Sequence, residues 1–585
     1  MTDTNALAEP EPAADIRVSR VVVRDFRCVH EVQLDLAPGT TYLVGENNSG
    51  KTSILLALWS ALGNRRPLDD DLRREGDGTL VDEASVDLLM VPAQGQRFSP
   101  QTSQKLVLVQ RDPSTGSETV GIRTMFLPSR EGRALATRRS FLQPDDDGSW
   151  RPVVAPALPP TLMTGVEAHL LDASRDLVTE LGNRTSVWGR VLSDLQIEQN
   201  PEQGEGRADL EQALADIAAR IRHASPVLSN LQSDLAGLAD AQASVGRVEL
   251  QPLPLRLEEL ARAAEVVLQQ HDEAALPLRF NGLGSRSLAT LLVFQTLARL
   301  RLGADRDEPP HLLTLLEEPE AHLHPQATSA LQSLLDRLPG QRVVTTHSPQ
   351  LVAQVDPQDV RIIRRSSTGI EVLGLPPETA KRAAQFRRYV ERPFGEIMFA
   401  RAVVLCDGTS ERCTLPILLS AYFGCHPAGL GVSFIDCESM NQEQTGIVIR
   451  AAYDLKLPWL LFTDQDAAGE SALGSIVHPG TSEPLTPVSP EVIMSGEKQI
   501  EQMLIDAGYT TEIEQVAADS GMEIGSGKKP HLKFLNRNKA WAVEQVAARA
   551  MEANRALPGC IEELGEKLGA ILRSEGNVPC EAEAA

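Results

Sequence analysis

Short apolar segments that end abruptly in polar residues recur along the chain. They predict strands buried on both faces of a parallel sheet. The clearest is 312–316, four leucines and a threonine, followed directly by Glu317 and Glu318. Residues 41–44 and 343–346 have the same character. Because open α/β sheets bind ligands beyond the carboxyl ends of their strands, we expect functional side chains where these segments end.

The segment that follows residue 44 reads GENNSGKT and precedes an apolar helical pattern. Strand, glycine-rich loop and helix are the required context of the phosphate-binding motif G-x-x-x-x-G-K-[ST]. Backbone N–H groups of such a loop surround phosphates, the lysine reaches the β- and γ-phosphates, and the threonine binds Mg²⁺. The predicted ATP contacts here are Gly45, Asn47, Asn48, Gly50, Lys51, Thr52 and Ser53.

Two glutamates follow the strand 312–316, and they suit phosphate chemistry. Glu317 is a candidate Mg²⁺ ligand, and Glu318 is a candidate base that polarises a water for attack on a phosphate. A charged turn after an apolar strand is the alternative. The phosphate-binding loop upstream and His347, which follows another buried strand, favour the catalytic interpretation.

The segments EEPEAHLHP (317–325) and TTHSP (345–349) resemble the RecF/SMC-like branch of ABC ATPases, in particular the OLD (overcoming lysogenization defect) proteins. The resemblance implies a head that closes over ATP, often between two heads, with His347 as the switch that senses the γ-phosphate. It also implies a signature segment, and NGLGSRS (281–287) occupies the expected place. Gly284 and Ser285 would then touch a partner's γ-phosphate, although an ordinary glycine turn before a helix is the alternative.

The length of 585 residues predicts two or three domains. No apolar run approaches the length of a membrane span, and the acidic N-terminus lacks the apolar centre of a signal peptide. We therefore expect a cytoplasmic protein and not an ABC transporter. Seven cysteines without C-x-x-C spacing predict reduced, mostly buried thiols.

The formal net charge of −24 does not by itself favour nucleic-acid binding. Binding depends on local clusters, however, and basic residues concentrate at 361–365, 381–392 and 528–539. A solvated face is the alternative for each cluster. If they contact DNA, binding will depend strongly on salt.

The remaining pattern predicts a domain order. Strands are expected at 17–25, 31–36, 85–91, 105–110 and 119–126, before a proline-rich boundary at 144–160. Residues 165–275 turn helical, with an apolar stripe from Leu210 to Leu238 that is typical of a core or a helix-to-helix interface. We expect a compact helical insertion that serves for dimerisation. The predicted divisions are an ATPase N-terminal part (1–164), the helical insertion (165–275), an ATPase C-terminal part (276–377), a basic connector (378–398) and a last domain (399–585).

The last domain alternates strands and helices, and acids follow two of its strands. Strands predicted at 401–406, 431–435 and 458–463 imply a small parallel sheet. Asp407 and Glu411 follow the first strand, and Asp464 and Asp466 follow the third. Four carboxylates in one pocket are costly unless cations fill it or the acids spread into water. Oxygen ligands favour Mg²⁺ or Mn²⁺, two of which can cleave a phosphodiester.

The pattern acid-G-x-x-acid followed by D-x-D resembles the TOPRIM domain of topoisomerases, primases and OLD nucleases. That resemblance implies that a glutamate in this region, Glu501 here, helps hold the second metal. It also implies a lysine that stabilises transition-state charge, for which Lys539 is the first candidate and Lys533 the second. A solvent-facing pair of Glu497 and Glu501, and lysines that touch only phosphates or nothing, are the alternatives. TOPRIM domains usually begin with glutamate, whereas position 407 is aspartate.

The sequence therefore predicts an α/β protein, with an ABC/RecF-SMC-like ATPase head, a helical insertion and a TOPRIM domain with C-terminal helices. The expected function is an ATP-binding and ATP-hydrolysing, divalent-metal-dependent DNA endonuclease that is gated by its ABC-type ATPase. A homodimer is expected, and a helicase-like protein is a candidate partner. One alternative is a DNA-repair or sensor ATPase with a non-catalytic TOPRIM scaffold. A topoisomerase is another, but none of its candidate tyrosines lies in a recognisable winged-helix context.

Overall fold

The computed structural model describes residues 15–574, apart from several gaps. The gaps are 64, 130–132, 146–148, 155–164, 173–206, 226–266, 269–275, 278–279, 281, 304–309, 367–368, 388–392, 465–466, 497–498 and 527–528.

The ATPase part is built on two large sheets, and β10 and β11 pair in a separate two-stranded sheet. The first is antiparallel, in the order β2-β1-β4-β6-β7-β8 with β5 beside β6. The second has the order β15-β14-β3-β13-β12-β9 and is parallel except for the β14–β15 hairpin. The strands are β1 (Ile16–Phe26), β2 (Val29–Asp35), β3 (Thr40–Val44), β4 (Ala84–Pro92), β5 (Gln110–Arg111), β6 (Glu118–Leu127), β7 (Ala136–Pro144), β8 (Trp150–Pro152), β9 (Val166–Leu171), β10 (Val267–Leu268), β11 (Leu276–Pro277), β12 (His311–Glu317), β13 (Gln341–Thr346), β14 (Val360–Ser366) and β15 (Gly369–Leu373).

Helices flank these sheets and lead into the connector. In this part of the chain they are α1 (Lys51–Leu62), α2 (Pro100–Leu106), α3 (Arg207–Ala224), α4 (Leu283–Gly303), α5 (Pro325–Leu335), α6 (Pro349–Val352), α7 (Pro377–Arg387) and α8 (Pro393–Ile397). The central strands β3, β12 and β13 are buried almost throughout, as their apolar runs predict.

Two predictions of secondary structure are wrong. Residues 105–110 were expected to form a strand, but α2 extends to Leu106 because Ser99 caps it through Thr102 N and Pro100 opens it. Residues 166–171 were expected to be helical, but they form β9, which pairs in parallel with β12. β9 lies at the edge of its sheet, and its polar and apolar residues are mixed. Such a sequence can resemble the pattern of an amphipathic helix.

The C-terminal part contains a parallel sheet of order β17-β16-β18-β19. The strands are β16 (Ala402–Cys406), β17 (Val432–Asp436), β18 (Trp459–Thr463) and β19 (Val492–Met494). The helices are α9 (Thr409–Phe423), α10 (Gln442–Asp454), α11 (Ala467–Leu473), α12 (Ile500–Asp506), α13 (Thr510–Asp519), α14 (Pro530–Glu552) and α15 (Gly559–Ser574). The strand–helix alternation confirms the predicted Rossmann-like sheet.

One hydrophobic core joins the two parts of the protein. It runs from the central ATPase sheet, at Leu316 and Val344, through Ile397 of α8 to Leu405 and Leu461 of the C-terminal sheet. The first antiparallel sheet and α1 enclose a second core. A third lies between the C-terminal sheet and helices α9 and α12–α15. The shared core gives the two sheets a continuous packed connection.

The predicted apolar stripe of the insertion lies largely outside the described residues. Within α3, Ala218 is buried, whereas Ile217 and Ile221 are exposed. Dimerisation through this element stays a prediction. In the described part of the chain, every helix is too short or too polar to span a membrane.

A buried histidine makes the ATPase sheets sensitive to acid. His311 is 5% exposed, and its Nε2 lies 2.8 Å from Gln341 Oε1, which also accepts a hydrogen bond from Val18 N. Since Gln341 Oε1 is an acceptor, Nε2 carries the proton of a neutral ring. Burial lowers the pKa of His311 to about 4.

Acidification from pH 6.5 to 4 is therefore expected to destabilise the central sheet by about 3 kcal/mol. In that window the unfolded state, with its higher histidine pKa, binds the proton and the folded state does not. Hydrogen exchange of the β12 amides measures the loss. His311→Gln, which keeps an N–H donor but does not titrate, should show a smaller loss, and an equal loss in both proteins would contradict the assignment.

Candidate active sites

The phosphate-binding loop needs its two glycines because the backbone approaches other chain segments closely. A Cβ at Gly45 would lie 2.2 Å from the carbonyl oxygen of Ile363, and one at Gly50 would lie 2.6 Å from Ile370 Cδ1. Gly50 also adopts a φ of 105° where α1 begins. The loop is thus packed against β14 and β15, with its N–H groups at the start of α1.

Lys51 is held inside the loop. Its Nζ donates hydrogen bonds to the carbonyl oxygens of Gly45 (2.8 Å) and Glu46 (2.7 Å), and the residue is 5% exposed. Burial lowers the pKa of Lys51 to about 8, against the opposing effect of nearby carboxylates, Glu318 first. A bound polyphosphate would supply the negative charge that such a buried ammonium lacks.

The two predicted Mg²⁺ ligands of the ATPase are neighbours in space. Thr52 Oγ1 donates a 2.5 Å hydrogen bond to Glu317 Oε1, which joins the first turn of α1 to the end of β12. A hydroxyl and a carboxylate at one point beside the phosphate-binding loop fit Mg²⁺, which prefers oxygen ligands.

Glu318 and His347 face each other beyond the strand ends. His347 Nε2 lies 3.4 Å from Glu318 Oε1. Glu318 has a φ of 44°, and its N–H donates to Thr345 O at 3.0 Å. A left-handed backbone is costly for glutamate, and such strain is concentrated at functional sites. Burial, followed by the nearby Lys51, lowers the pKa of His347.

The other predicted nucleotide contacts lie where the sequence placed them. Asn47 and Asn48 are exposed in the loop, and Ser53 is buried in α1. Gly284 and Ser285 form the first turn of α4. A Cβ at Gly284 would lie 2.8 Å from His322 O, so the signature segment packs on the loop after β12 of its own head.

In the C-terminal sheet, acids gather at the carboxyl edge. Asp407 follows β16 and Asp464 follows β18, which is a neighbour of β16 in the sheet. Asp436 ends β17, the neighbour of β16 on its other side. Glu411 lies in the first turn of α9 and Glu501 in the first turn of α12, and both are buried.

Protein donors orient three of these carboxylates. Thr463 Oγ1 donates to Asp407 Oδ2 at 3.0 Å, and Ser495 Oγ donates to Asp464 Oδ1 at 2.9 Å. The N–H of Gly408 donates to Glu411 Oε2 at 3.0 Å. These bonds fix one oxygen of each side chain.

The charges of four predicted acids act on one another. Burial, followed by the negative charges of Asp464, Asp407 and Glu501, raises the pKa of Glu411 to about 7. These four are therefore brought together, whereas Asp466 lies outside the described residues. Among the described residues, no three acids, histidines or cysteines stand in a ready-made metal cluster.

Lys539 interrupts α14. It is exposed and has a φ of 32° and a ψ of −130°, which separates the helical turns before it from those after it. α14 packs against α9 and α12, the helices that carry Glu411 and Glu501. A strained backbone at this lysine is compatible with a role at the acidic edge.

The sequence interpretation missed two residues of the C-terminal site, Asp436 and Ser495. Asp436 ends a strand by the same rule that pointed to Asp407 and Asp464, so the rule could have found it. Asp436 accepts hydrogen bonds from Thr409 Oγ1 (2.6 Å) and Glu438 N (2.8 Å) and so holds the start of α9. Ser495 follows β19, whose three apolar residues are too short a signal to predict a strand.

Comparisons with known proteins agree with this arrangement. Residues 17–94 and 170–352 match the AAA ATPase domain family, and residues 398–466 match the family described as overcoming lysogenization defect protein-like, TOPRIM domain. An OLD nuclease from Thermus scotoductus is 24% identical over 471 residues, which cover 77% of this chain and 82% of that protein. This chain combines an AAA ATPase domain with an OLD-like TOPRIM domain, the arrangement of OLD-family proteins.

Other similarities of this ATPase–TOPRIM chain are partial. The uncharacterized protein YbjD of Escherichia coli is 30% identical over 33% of this chain and 35% of its own. The DNA replication and repair protein RecF of Edwardsiella ictaluri is 53% identical over 49 residues, 8% of this chain and 13% of RecF.

Among solved structures, an Smc head domain from Pyrococcus furiosus aligns with 64% of this chain and 100% of its own, with 14% identity and a TM-score of 0.35. The SMC head from Thermotoga maritima aligns with 62% of this chain and 99% of its own, with 12% identity and a TM-score of 0.29.

Proposed function

We propose that this OLD-family protein binds and hydrolyses ATP and cleaves DNA phosphodiester bonds with divalent metal ions by a two-metal mechanism. The observation that carries the proposal is the convergence of Asp407, Glu411, Asp464 and Glu501 at one strand edge of a TOPRIM domain. The ATPase and TOPRIM domains and the OLD nuclease relative support ATP-dependent nuclease activity in general.

The donor set fits Mg²⁺ or Mn²⁺. The predicted ligands are carboxylates only, and burial, followed by repulsion from the neighbouring acids, raises the pKa of Glu411. Two such ions would activate a water and stabilise the leaving oxygen. Asp407 is shorter than the usual glutamate, but Thr463 Oγ1 fixes its carboxylate toward β18 and Asp464. We include Asp466 in the ligand set from the sequence alone.

The chain's own residues orient the reaction. Gly408 N, Thr463 and Ser495 hold the carboxylates in fixed rotamers, as preorganised sites require. Lys539, whose ammonium needs only to approach the cleaved phosphate, is proposed to stabilise the transition-state charge.

DNA would reach this edge along the basic part of α14. Lys533 and Lys539 are both exposed there. The first basic cluster is less suited to DNA because Arg361 donates to the carbonyl oxygens of Asp35, Gln358 and Val360, and Arg364 donates to that of Lys456. The second cluster, 381–392, is described only in part.

The test is cleavage of supercoiled plasmid DNA with Mg²⁺, Mn²⁺ or Ca²⁺, with and without ATP. Nicking or linearisation with Mg²⁺ or Mn²⁺ is expected. Intact plasmid with every metal, together with ATP hydrolysis, would favour the alternative of a DNA-repair or sensor ATPase with a non-catalytic TOPRIM scaffold. Homodimerisation of the heads and a helicase-like partner stay predictions, and sedimentation and co-purification would test them.

We further propose that nucleotide state regulates the nuclease through a contact between the two sites. Arg401 donates to both carboxylate oxygens of Glu46 in the phosphate-binding loop, with the Nη2–Oε2 bond at 2.8 Å. The main-chain oxygen of Glu46 accepts from Lys51. Arg401 directly precedes β16, and Asp407 follows that buried strand. A shift of the loop on ATP binding would thus be transmitted to the acidic edge.

Reversing one charge of this pair, by Arg401→Glu or Glu46→Arg, is expected to reduce the effect of ATP on cleavage about two- to fivefold, since half-exposed pairs contribute at most about 1 kcal/mol. The double exchange should restore it. The measured quantity is the ratio of cleavage rates with and without ATP. Additive losses in the double variant would exclude coupling through this pair.

A further inference from the structure

Glu320, in the loop after β12, connects that loop to the switch strand β13. Its Oε1 accepts hydrogen bonds from Thr346 Oγ1 (2.5 Å) and from the backbone N–H of His347 (3.0 Å). The same Thr346 hydroxyl accepts from the N–H of Ser348 at 3.0 Å. One carboxylate oxygen therefore organises three successive residues of the switch segment.

These bonds act on the backbone of His347, while the ring of His347 reaches the reaction site. Its Nε2 is 3.4 Å from Glu318, and burial, followed by the positive charge of nearby Lys51, lowers the pKa of His347. Because Glu320 holds the backbone of His347 in place, the ring can move only by rotation about its own side-chain bonds. A small displacement of positioned groups costs an enzyme heavily in rate.

In the part of the chain that the structure describes, the other oxygen of Glu320 makes no comparable contact. Oε2 is buried and has no hydrogen-bond partner among the described residues. An unsatisfied buried oxygen is destabilising, and a glutamine would offer Oε1 to the same two donors with no net charge to bury. The carboxylate therefore costs stability, and the oxygen that acts on the switch segment is the acceptor Oε1, which a glutamine would also supply.

We propose that Glu320 is a positioning residue for ATP hydrolysis, which holds Thr346 and His347 so that the switch ring faces Glu318 and the phosphate-binding loop. This inference rests on the proposed ATPase function. Glu320 itself does not touch the nucleotide in this scheme. It acts through His347, so its loss affects the chemical step and leaves ATP binding in place.

The test compares Glu320→Ala, Glu320→Gln, Thr346→Val and Thr346→Ser in the full-length protein. Glu320→Ala is expected to lower kcat for ATP hydrolysis about 10- to 100-fold, with KM and the Kd of a non-hydrolysable ATP analogue within about twofold. Glu320→Gln keeps an acceptor and should restore most of kcat. Thr346→Val, which loses one donor, should lower kcat, whereas Thr346→Ser should not.

Two results would overturn the inference. One is an unchanged kcat in Glu320→Ala in a protein whose wild type hydrolyses ATP. The other is a parallel loss of ATP affinity and thermal stability in Glu320→Ala and Glu320→Gln, which a structural role alone would give. A wild-type protein without ATPase activity would instead contradict the proposed function, so the two failures are distinguishable.

Discussion

Asp464→Asn is expected to lower metal-dependent DNA cleavage by more than about 100-fold, because even the partners of metal ligands typically contribute 10- to 100-fold. Asparagine keeps the shape of the side chain and an oxygen that can accept from Ser495 Oγ, so the fold of the edge is preserved. It removes the negative charge that, with Asp407 and Glu501, surrounds Glu411. ATP hydrolysis in the other sheet should be nearly unchanged.

The measurement is plasmid nicking with Mn²⁺ or Mg²⁺ over a range of metal concentrations. Glu438→Gln is the matched control, since Glu438 is an exposed acid close to the same edge. Cleavage by Asp464→Asn at the rate of this control would remove Asp464 from the metal site. A loss of ATPase activity of similar size would indicate a folding defect.

Glu318→Gln is expected to lower ATP hydrolysis about 10²- to 10⁴-fold, the usual contribution of a positioned general base. The amide keeps the length of the side chain and its place opposite His347, but it does not accept a proton from water. ATP binding should persist because Lys51, Thr52 and Glu317 are untouched. The variant is therefore expected to hold ATP in the head.

Rapid-quench hydrolysis and retention of labelled ATP after gel filtration would test this. If nucleotide state regulates cleavage, the same variant with ATP should keep cleaving DNA at the rate that is characteristic of the ATP-bound protein. Hydrolysis at the wild-type rate would show that another group activates the water. Glu318→Asp, which keeps the charge but shortens the side chain, separates the basicity of this residue from its reach.

Much of the candidate chemistry was predictable from the sequence because it is encoded locally. The phosphate-binding loop needs consecutive residues on one turn between a strand and a helix, and positions 45–52 provide them. Glu317, Glu318, Asp407 and Asp464 follow short apolar runs that form buried strands in the structure. The family models and the OLD nuclease relative support the predicted family, and the observed sheets confirm the predicted α/β fold.

The errors occurred where the local pattern is ambiguous. At 105–110 the alternating residues predict a strand, but α2, which is capped by Ser99, extends to Leu106. At 166–171 the stripe of a helix and the half-buried face of an edge strand look alike, and pairing with β12 decided for β9.

By itself, the sequence determined which segments are strands ending in acids and which loop surrounds a phosphate, since both depend on neighbouring residues. Only the tertiary structure decided which of those groups meet. Glu320 reaches His347, Ser495 reaches Asp464, and Arg401 reaches Glu46 across 355 positions of the chain. Such contacts depend on strand order and on packing between sheets, which no local periodicity encodes.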